Sequence, residues 1–298
     1  MRISAIVLNW NRPNDTINAV DSILRQDYPD TEIIIWDNAS SDNSRDILTK
    51  TFGNDPCIKT IFAPHNYGVA GGRNRAARET DGECLFFLDS DAAIQTPSAF
   101  SQVAERMAQD PKIGALSFEV VRPDGFLMWP FSRPVSEWRH KEFEAARVDG
   151  CAFAVRRFAF DKAGAFAEHF SPYGAEDLHF AYKLIDCEFK ILYFPSAVAT
   201  HAFSPSGRTG IQFAMHVRNM LLIPLELFPT PHAYASFIKI AASLGRDAWF
   251  QHQRKDYFRG VREALTGFTF PERIPILRQN WRHLRDIVKE EKRLHVKI

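Results

Sequence analysis

Two aspartates separated by one serine, Asp89 and Asp91, follow an apolar run in the stretch FFLDSDAAI at residues 86–94. The run CLFFL at 84–88 has no polar face, which is typical of a strand buried on both sides of a parallel sheet. Ligands bind at the carboxyl edge of such a sheet, and the two-residue period of a strand predicts that both carboxylates point the same way. Two hard oxygen ligands at one point suit Mg²⁺ or Mn²⁺, and these ions suit a substrate that carries phosphates.

A D-x-D sequence after an apolar strand is also typical of haloacid-dehalogenase-type phosphatases, in which the first aspartate is a nucleophile. Those enzymes place the motif on the first strand and usually continue with x-[TV]. Here Ala92 and Ala93 follow, and three predicted strands come before. The metal-binding interpretation is therefore favoured.

Two further stretches have residue types that suit a nucleotide. Asp37, in WDNASSDNS at 36–44, follows another apolar run; it either caps a turn and the next helix or accepts a hydrogen bond from a base. The glycines in HNYGVAGGRNRAAR at 65–78 precede a predicted helix and would allow a phosphate to approach the backbone. Arg73 and Asn74 in that stretch have two interpretations: they contact a base or a diphosphate, or they are ordinary surface residues. The stretch matches neither the dinucleotide fingerprint nor the P-loop.

Acid-base chemistry could come from YGAEDLHFAYKL at 173–184. Acidic residues in the first turn of a helix are favoured by the helix dipole, so Glu176 and Asp177 have a purely structural interpretation. In the functional interpretation, one of them is a general base for an acceptor hydroxyl. His201 ends a β-like run at 198–207; a lone histidine is usually structural, and it becomes a metal ligand only if it lies near Asp91.

The elements that must position these residues alternate between strand and helix patterns, which predicts an α/β fold with a mostly parallel central sheet flanked by helices. The predicted strands are 3–8, 32–36, 59–62, 84–88, 113–121, 148–155, KILYF at 190–194 and AVATHAF at 197–203. The predicted helices are 14–26, a short one through Leu48, 71–79, 97–109, 158–163 and 176–187. Residues 122–147 are predicted to form a long irregular loop. Only helices are predicted beyond residue 206, as a C-terminal extension.

Bulk properties limit the classes of partner and location. The 298 residues are 45% hydrophobic with a formal charge of +1, so no overall field holds a polyanion and nucleic acid is not expected as a partner. The four cysteines form no C-x-x-C pair, which argues against a zinc framework or disulfides. The N-terminal apolar piece is too short for a signal peptide, and MLLIPLELF at 220–228 is too short for a membrane span. We expect a cytoplasmic protein with at most a surface contact to membrane.

In this order, the stretches resemble the bacterial family 2 glycosyltransferases of the GT-A fold. The resemblance rests on IVLNWNRP, WDNASSDNS, NYGVAGGRN, FLDSDA, DGCAFAVRR, GAEDLHFAYKL and ATHAFSPSG, over about the first 205 residues. The later HVRNMLLIP is similar to a helix that often follows this domain. The resemblance implies a nucleotide-sugar-binding catalytic domain at 1–205 and a helical region at 206–298.

The resemblance also implies a reaction and its residues. A sugar would pass with inversion from a UDP-, dTDP- or GDP-linked donor to a hydroxyl of a glycan or lipid-linked acceptor in cell-surface polysaccharide synthesis, with Mn²⁺ or Mg²⁺ as cofactor. The implied donor-binding residues are Asn9, Asp37, Arg73, Asn74 and Asp89. The implied metal ligands are Asp91, His201 and Asp89, and the implied catalytic base is Asp177. His179 and Lys183 depart from the family pattern, which puts contacts to the acceptor in doubt. Because Q-x-x-R-W is absent, addition of one or a few sugars is expected.

Two other functions remain open, together with two interpretations of the last helix. A sugar nucleotidyltransferase would usually carry G-x-G-T-R after the first strand, where this chain has NWNRPND. A catalytically silent nucleotide-sugar binder would keep the same fold. In the basic C-terminal helix, Trp281, Leu284, Ile287 and Leu294 share one side. That side either packs on the α/β domain or rests on anionic lipid.

Overall fold

The computed structural model describes residues 1–131, 133–202, 210–266 and 274–293. The first half of its sheet is parallel. Its strands are β1 (Ile3–Asn9), β2 (Thr31–Asp37), β3 (Ile58–Phe62) and β4 (Cys84–Asp89), and they lie in the order β3-β2-β1-β4. The helices α1 (Pro13–Leu24), α2 (Ser44–Phe52) and α3 (Gly68–Arg78) connect them. Four apolar residues in each of β1 and β2 and five in β4 are buried, on both faces of the sheet, as the sequence predicts for central strands.

The second half of the sheet is mixed. Its elements are β5 (Ala92–Ile94), α4 (Ala99–Gln109), β6 (Ile113–Val121), β7 (Leu127–Met128), α5 (Val135–Trp138), β8 (Phe143–Glu144), β9 (Ala152–Arg156), α6 (Arg157–Lys162), α7 (Glu176–Asp186) and β10 (Lys190–His201). Strand β9 pairs antiparallel with both β4 and β6, while β10 runs parallel to β6. The described strands form a single ten-stranded sheet. Eight of them follow the path β3-β2-β1-β4-β9-β6-β10-β5, while β7 pairs with β6 and β8 pairs with β10. The predicted α/β class, with helices flanking a central sheet, is confirmed; the sheet is parallel over β3-β2-β1-β4 and mixed beyond β4.

The helices cover both faces of the sheet. Apolar side chains of α1, α2 and α4 pack on one face around Phe86 and Phe118. Helices α3, α6 and α7 pack on the other face around Phe87 and Phe153. The rings of this second face lie close together, with centroids 5.2 Å apart for Phe87 and Phe153. The two layers hold the strand ends, and therefore the polar residues at those ends, in fixed positions.

Three predictions about strands need correction. The segments KILYF and AVATHAF are one strand, β10, with a register shift between Phe194 and Val198. Pro195 lies in that shift, and a proline has no N–H to donate, so it is confined to an edge or a bulge. The three-residue strand β5 was not predicted, and β9 begins at Ala152 rather than at 148.

The predicted long loop at 122–147 is largely irregular but includes β7, α5 and β8. Its aromatic side chains are not exposed as a group. Trp129, Phe131 and Phe143 pack with Tyr193 of β10, with ring centroids 5.0–5.2 Å from that of Tyr193. This cluster fastens the loop to the edge of the sheet.

The C-terminal region comprises α8 (Gly210–Leu227), α9 (His232–Phe250), α10 (Arg254–Thr266) and α11 (Arg278–Arg293). Trp281, Leu284 and Ile287 of α11 are buried in the same apolar cluster as α7, so this side of the helix packs on the α/β domain; Leu294 lies outside the described residues. The proposed boundary at 205/206 also falls outside them and stays a prediction. Within the described ranges, every helix is too short or too polar to cross a bilayer.

Candidate active site

The carboxyl ends of β1, β2 and β4 meet at one edge of the sheet. The parallel register pairs Asn9 with Asp37 and places Asp89 beside Leu8. Asn9 is fully buried; its Nδ2 donates to Asp37 Oδ2 at 2.6 Å and to Ser40 Oγ at 3.1 Å, and its Oδ1 accepts from Thr16 at 2.8 Å. That Asn9 contacts a nucleotide stays a prediction; its side chain is buried and its amide group is hydrogen-bonded within the protein. Asn9 orients the Asp37 carboxylate.

Arg73 of α3 is buried and faces the same edge. Its Nη2 donates to Asp89 Oδ1 and to the carbonyl of Gly150, each at 2.7 Å, and its Nη1 lies 3.9 Å from Glu176 Oε1. Close approach of α3 to β1 is possible because residue 72 is glycine: a Cβ there would lie 2.8 Å from Leu8 Cδ2. Arg73 is therefore placed to hold Asp89 at the strand end.

The next residue of α3, Asn74, points elsewhere. Its Nδ2 donates to the Phe166 carbonyl at 2.8 Å, and its Oδ1 accepts from the Phe166 N–H at 3.0 Å. Glu168 Oε1 lies 3.3 Å from the same Nδ2. That Asn74 holds the nucleotide stays a prediction; successive helical residues point about 100° apart, and in this structure the Asn74 side chain forms a pair of hydrogen bonds with the Phe166 backbone. Asn74 fixes α3 to the segment before α7.

The structure brings Asp89, Asp91 and His201 together. Asp91 lies in the turn after β4, so the two-residue period of a strand does not set the direction of its side chain. That direction is set by the pairing of β10 with β5, which places His201 opposite Ala92. Asp91 Oδ1 lies 3.2 Å from His201 Nε2, and Asp91 Oδ2 accepts from Arg12 Nη1 at 2.8 Å. Ligand atoms of Asp89, His201 and Cys151 lie within 4.8 Å of one another.

The charges in this group shift one another's pKa in both directions. Burial raises the pKa of Asp89, and the Arg73 guanidinium opposes the rise. For Asp91 burial also raises the pKa, but the hydrogen bond and charge of His201 together with Arg12 outweigh it, so the pKa is lowered. Burial lowers the pKa of His201, whereas the bond to Asp91 and the Asp89 charge raise it, with a net rise. Two carboxylates that each lie near one imidazole are donor types that suit Mn²⁺ or Mg²⁺.

A second acidic group lies beside the first. Glu176 is buried, and its pKa rises to about 7 through burial and repulsion by Asp177, against the attraction of Arg73. Asp149 is raised to a pKa of about 6 by burial and by the charges of Asp177 and Asp89. Asp177 itself is partly exposed, and a Cβ on Gly150 would lie 3.0 Å from its Oδ2. Of the two predicted acids, Asp177 is the one that a hydroxyl from solvent can reach.

The stretch HVRNM in α8 holds the backbone that leads into α7. Asn219 is fully buried, and its Nδ2 lies 2.8, 3.1 and 2.6 Å from the carbonyl oxygens of Phe170, Tyr173 and Gly174. Arg218 Nη2 donates to the His169 carbonyl at 2.6 Å. The helical region therefore contributes directly to the placement of the first turn of α7, which carries Asp177.

A carboxylate that is hydrogen-bonded to two histidines adds to this attachment. Glu226 of α8 lies 2.8 Å from His169 Nε2 and 3.3 Å from His179 Nε2 of α7. Burial raises the pKa of Glu226, but the hydrogen bonds from the two imidazoles prevail and lower it to about 2. Burial lowers the pKa of His179.

Sequence reasoning assigned no role to four residues that the geometry brings into the site: Arg12, Asp149, Cys151 and Asn219. Each falls inside a stretch quoted for the family resemblance. The signal was therefore present, but their roles depend on contacts between distant parts of the chain.

A mixed sheet of this order, flanked by helices, with acidic residues at its carboxyl edge, defines the class of GT-A proteins. A mannosyltransferase, PcManGT from Pyrobaculum calidifontis, solved with GDP-Man and Mn²⁺, superposes with a TM-score of 0.64 at 21% identity, covering 91% of this chain and 77% of that one. S. aureus TarS 1-349 in complex with UDP-GlcNAc gives a TM-score of 0.61 at 17% identity, covering 99% and 90% of the two chains. The chain has the GT-A fold.

The family follows from the sequence match. Residues 4–164 match the family described as Glycosyl transferase family 2, and the chain belongs to it. It is 34% identical over 117 residues to an uncharacterized glycosyltransferase of Nostoc sp., covering 39% of this chain and 36% of that protein. It is 30% identical over 181 residues to the GalNAc(5)-diNAcBac-PP-undecaprenol beta-1,3-glucosyltransferase of Campylobacter jejuni, covering 59% and 57%. The chain thus spans about a third to just over half of these two relatives.

Proposed function

We propose that the protein is a metal-dependent, inverting glycosyltransferase that moves a sugar from a nucleoside diphosphate sugar to an acceptor hydroxyl. The observation that carries the proposal is the placement of both Asp89 and Asp91 beside His201 at the sheet edge, with the partly exposed carboxylate of Asp177 close by. The nucleotide sugars in the structures of GT-A neighbours and the names of the family relatives support it.

On the donor side, Asp37 accepts a hydrogen bond from the base, and its orientation is fixed by Asn9. Arg73 acts through Asp89, whose carboxylate it holds toward the ribose and the ion. Asp89, Asp91 and His201 are the residues that would hold Mn²⁺ or Mg²⁺. When bound, the ion supplies positive charge to the departing diphosphate.

On the acceptor side, Asp177 takes the proton of the attacking hydroxyl as the new bond to the anomeric carbon forms and the bond to the diphosphate oxygen breaks. Attack from the face opposite the leaving group inverts the anomeric configuration. The buried Glu176 accepts the N–H of Gly174 through Oε2 at 2.9 Å, which leaves it a role in shaping the turn before α7.

The direct test is a panel of UDP-, dTDP- and GDP-sugars incubated with the protein and Mn²⁺, with released nucleoside diphosphate as the readout. Slow release with one donor is expected, because water substitutes poorly for the acceptor. A sugar nucleotidyltransferase would need pyrophosphate instead, and a silent binder would release nothing; either result would refute the proposal.

The ligand set is tested by Asp91→Ala, with Asp124→Ala as the matched control. Asp124 is an exposed aspartate that pairs only locally, with Arg122 at 3.0 Å. Metal-dependent donor binding should be lost in the first variant and kept in the second. Unchanged binding in Asp91→Ala would remove this residue from the site.

We also propose a glycan or lipid-linked acceptor in cell-surface polysaccharide synthesis, with peripheral contact to a membrane through α9 and α10. Because the apolar side of α11 is packed, the surface that suits lipid lies on these two helices. Its exposed apolar members are Ile238, Trp249, Phe250, Phe258 and Leu265. Its exposed basic members are Lys239, Arg246, Arg254, Lys255, Arg259 and Arg262. The Arg254 guanidinium lies 3.2 Å from the Trp249 ring centroid, so the two kinds of side chain are adjacent.

Exposed aromatic and basic side chains on two neighbouring helices complement an anionic bilayer, whereas a second copy of the chain would oppose like charges. Co-sedimentation with anionic vesicles at low salt should fall in the double variant Phe250→Ser, Phe258→Ser. Phe126→Ser, which removes an equally exposed ring from the 122–147 loop, should sediment as the unchanged protein does. Equal sedimentation of all three proteins would refute this surface.

A further inference from the structure

Cys151 lies against the proposed metal ligands. Its sulfur, an Asp89 carboxylate oxygen and a His201 ring nitrogen are mutually within 4.8 Å, and among the described residues this is the one group of three or more His, Cys, Asp or Glu side chains with that property. The position follows from the sheet: β9 pairs antiparallel with β4 up to Leu88 and Ala152, and the Asp89 N–H donates to the Cys151 carbonyl at 2.9 Å. Cys151 is thus fixed directly opposite Asp89.

The spacing suits coordination. With metal–sulfur and metal–nitrogen bonds of about 2.3 and 2.0 Å, two ligands of one tetrahedral ion lie about 3.5 Å apart. A separation of at most 4.8 Å therefore closes with a displacement of about 1 Å shared between two side chains. Asp91 lies outside the group within 4.8 Å, but its Oδ1 is 3.2 Å from His201 Nε2, and we take it as the fourth ligand.

The type of ligand decides which ion is favoured. Oxygen and imidazole ligands suit Mn²⁺ and Mg²⁺, whereas a thiolate selects softer ions such as Zn²⁺ and Cd²⁺. Two carboxylates, one imidazole and one thiolate form a four-ligand set of the kind that tetrahedral ions take. Coordination releases the thiol proton to solvent as the metal–sulfur bond forms.

We propose that Cys151 is an additional ligand of this site and makes it bind Zn²⁺ and Cd²⁺ more tightly than Mg²⁺. The inference rests on the proposed function only in taking Asp89, Asp91 and His201 as the metal site. Cys151 then determines ion selectivity, a property separate from sugar transfer.

Cadmium titration tests this without any activity measurement. Adding CdCl₂ to metal-free protein that carries Cys57→Ser, which removes the exposed thiol, should produce one equivalent of the ultraviolet thiolate-to-cadmium charge-transfer band. The band should vanish in Cys151→Ser and in His201→Ala. It should persist in Cys84→Ser, the matched control, because Cys84 is equally buried at the opposite end of β4.

Loss of a residue that only hydrogen-bonds to a metal ligand typically lowers metal affinity by roughly 10–100-fold. Because Cys151 is proposed to be a ligand itself, Cys151→Ser should lower cadmium affinity by at least this factor, while Mn²⁺ affinity changes little. Cadmium that binds without the band, or a band that survives in Cys151→Ser, would overturn the assignment. Such a result would leave the transferase proposal intact if Mn²⁺-dependent release of nucleoside diphosphate is still lost in Asp91→Ala. Failure of the donor panel, conversely, would leave the cadmium result standing.

Discussion

Replacing Asn219 by leucine should separate a positioning role from a purely structural one. The Nδ2 group has two hydrogens for three carbonyl oxygens of the 170–174 segment, and leucine has a similar size but no donor. Two net hydrogen bonds are lost and at least one buried carbonyl is left unpaired, which costs about 2–3 kcal/mol of unfolding free energy.

The same change should reach the chemistry through α7. The released carbonyls belong to the segment that ends at Gly174 and Ala175, whose φ values of +102° and +66° set the direction of the first turn of the helix. Asp177 is the second residue of α7, so a shift in this segment moves its carboxylate. Since a misplacement of about 1 Å costs about 100-fold, turnover should fall by about 10- to 100-fold. Donor affinity should change little, because Asp37 and Asp89 lie on strands of the sheet.

The matched control is Asn280→Leu. Asn280 is also a buried helical asparagine, and its Nδ2 donates at 2.7 Å to the carbonyl of Asp186, at the far end of α7 from Asp177. Both variants should lose stability in denaturant unfolding, but only Asn219→Leu should lose turnover when both are assayed well below their melting temperatures. If the two variants lose stability alike and both keep full turnover, the reasoning about α8 and Asp177 is wrong.

Three other changes have defined outcomes. Asp177→Asn should keep donor affinity by calorimetry while transfer falls on the order of 100-fold or more, as expected for a lost general base; normal turnover would eliminate the assignment. Gly150→Ala places a Cβ 3.0 Å from Asp177 Oδ2, so the carboxylate must yield by a few tenths of an ångström and kcat should fall by about 3- to 10-fold with unchanged donor affinity. Glu226→Gln should lower the unfolding free energy by about 3 kcal/mol at pH 7, because the pKa is near 2 in the folded state and 4.5 in the unfolded one. That difference is present above pH 4.5 and should disappear in denaturant titrations as pH falls toward 2; a difference that does not vary with pH would exclude the carboxylate charge as its cause.

The fold was predictable because its central strands are short apolar runs separated by helical patterns, and both periodicities are local. The confirmed strands β1, β2, β4 and β6 differ from prediction by at most one residue at each end. The antiparallel insertion of β9 and the pairing of β5 with β10 could not be read from the sequence. They depend on contacts between segments 36 to 109 residues apart, for which a single sequence contains no periodic signal.

In the candidate site, too, residue types could be identified from the sequence, whereas the contacts of each side chain could not. The sequence marked Asp89, Asp91, Asp177 and His201 because their types suit a known chemistry. It also marked Asn9 and Asn74. In the structure both side chains are buried, and they form hydrogen bonds with Asp37 and with the Phe166 backbone, respectively. Residue type alone does not distinguish a side chain that faces a ligand from one that holds it in place, since both are polar and both occur in the same stretches.

Burial and hydrogen bonding distinguish most of these side chains, but not Asp37, which is buried and accepts from Asn9 and from the Ser40 N–H. Asp91, Asp177 and His201 keep accessible surface, whereas Asn9, Asn74 and Asn219 have their amide donors directed at protein acceptors. The supporting amides come from β1, α3 and α8, so each part of the site rests on a different element, and the last of these lies in the helical region rather than in the α/β domain. A variant that removes one amide should therefore disturb one function selectively: Asn9 the orientation of Asp37 and donor recognition, Asn219 the position of Asp177 and turnover.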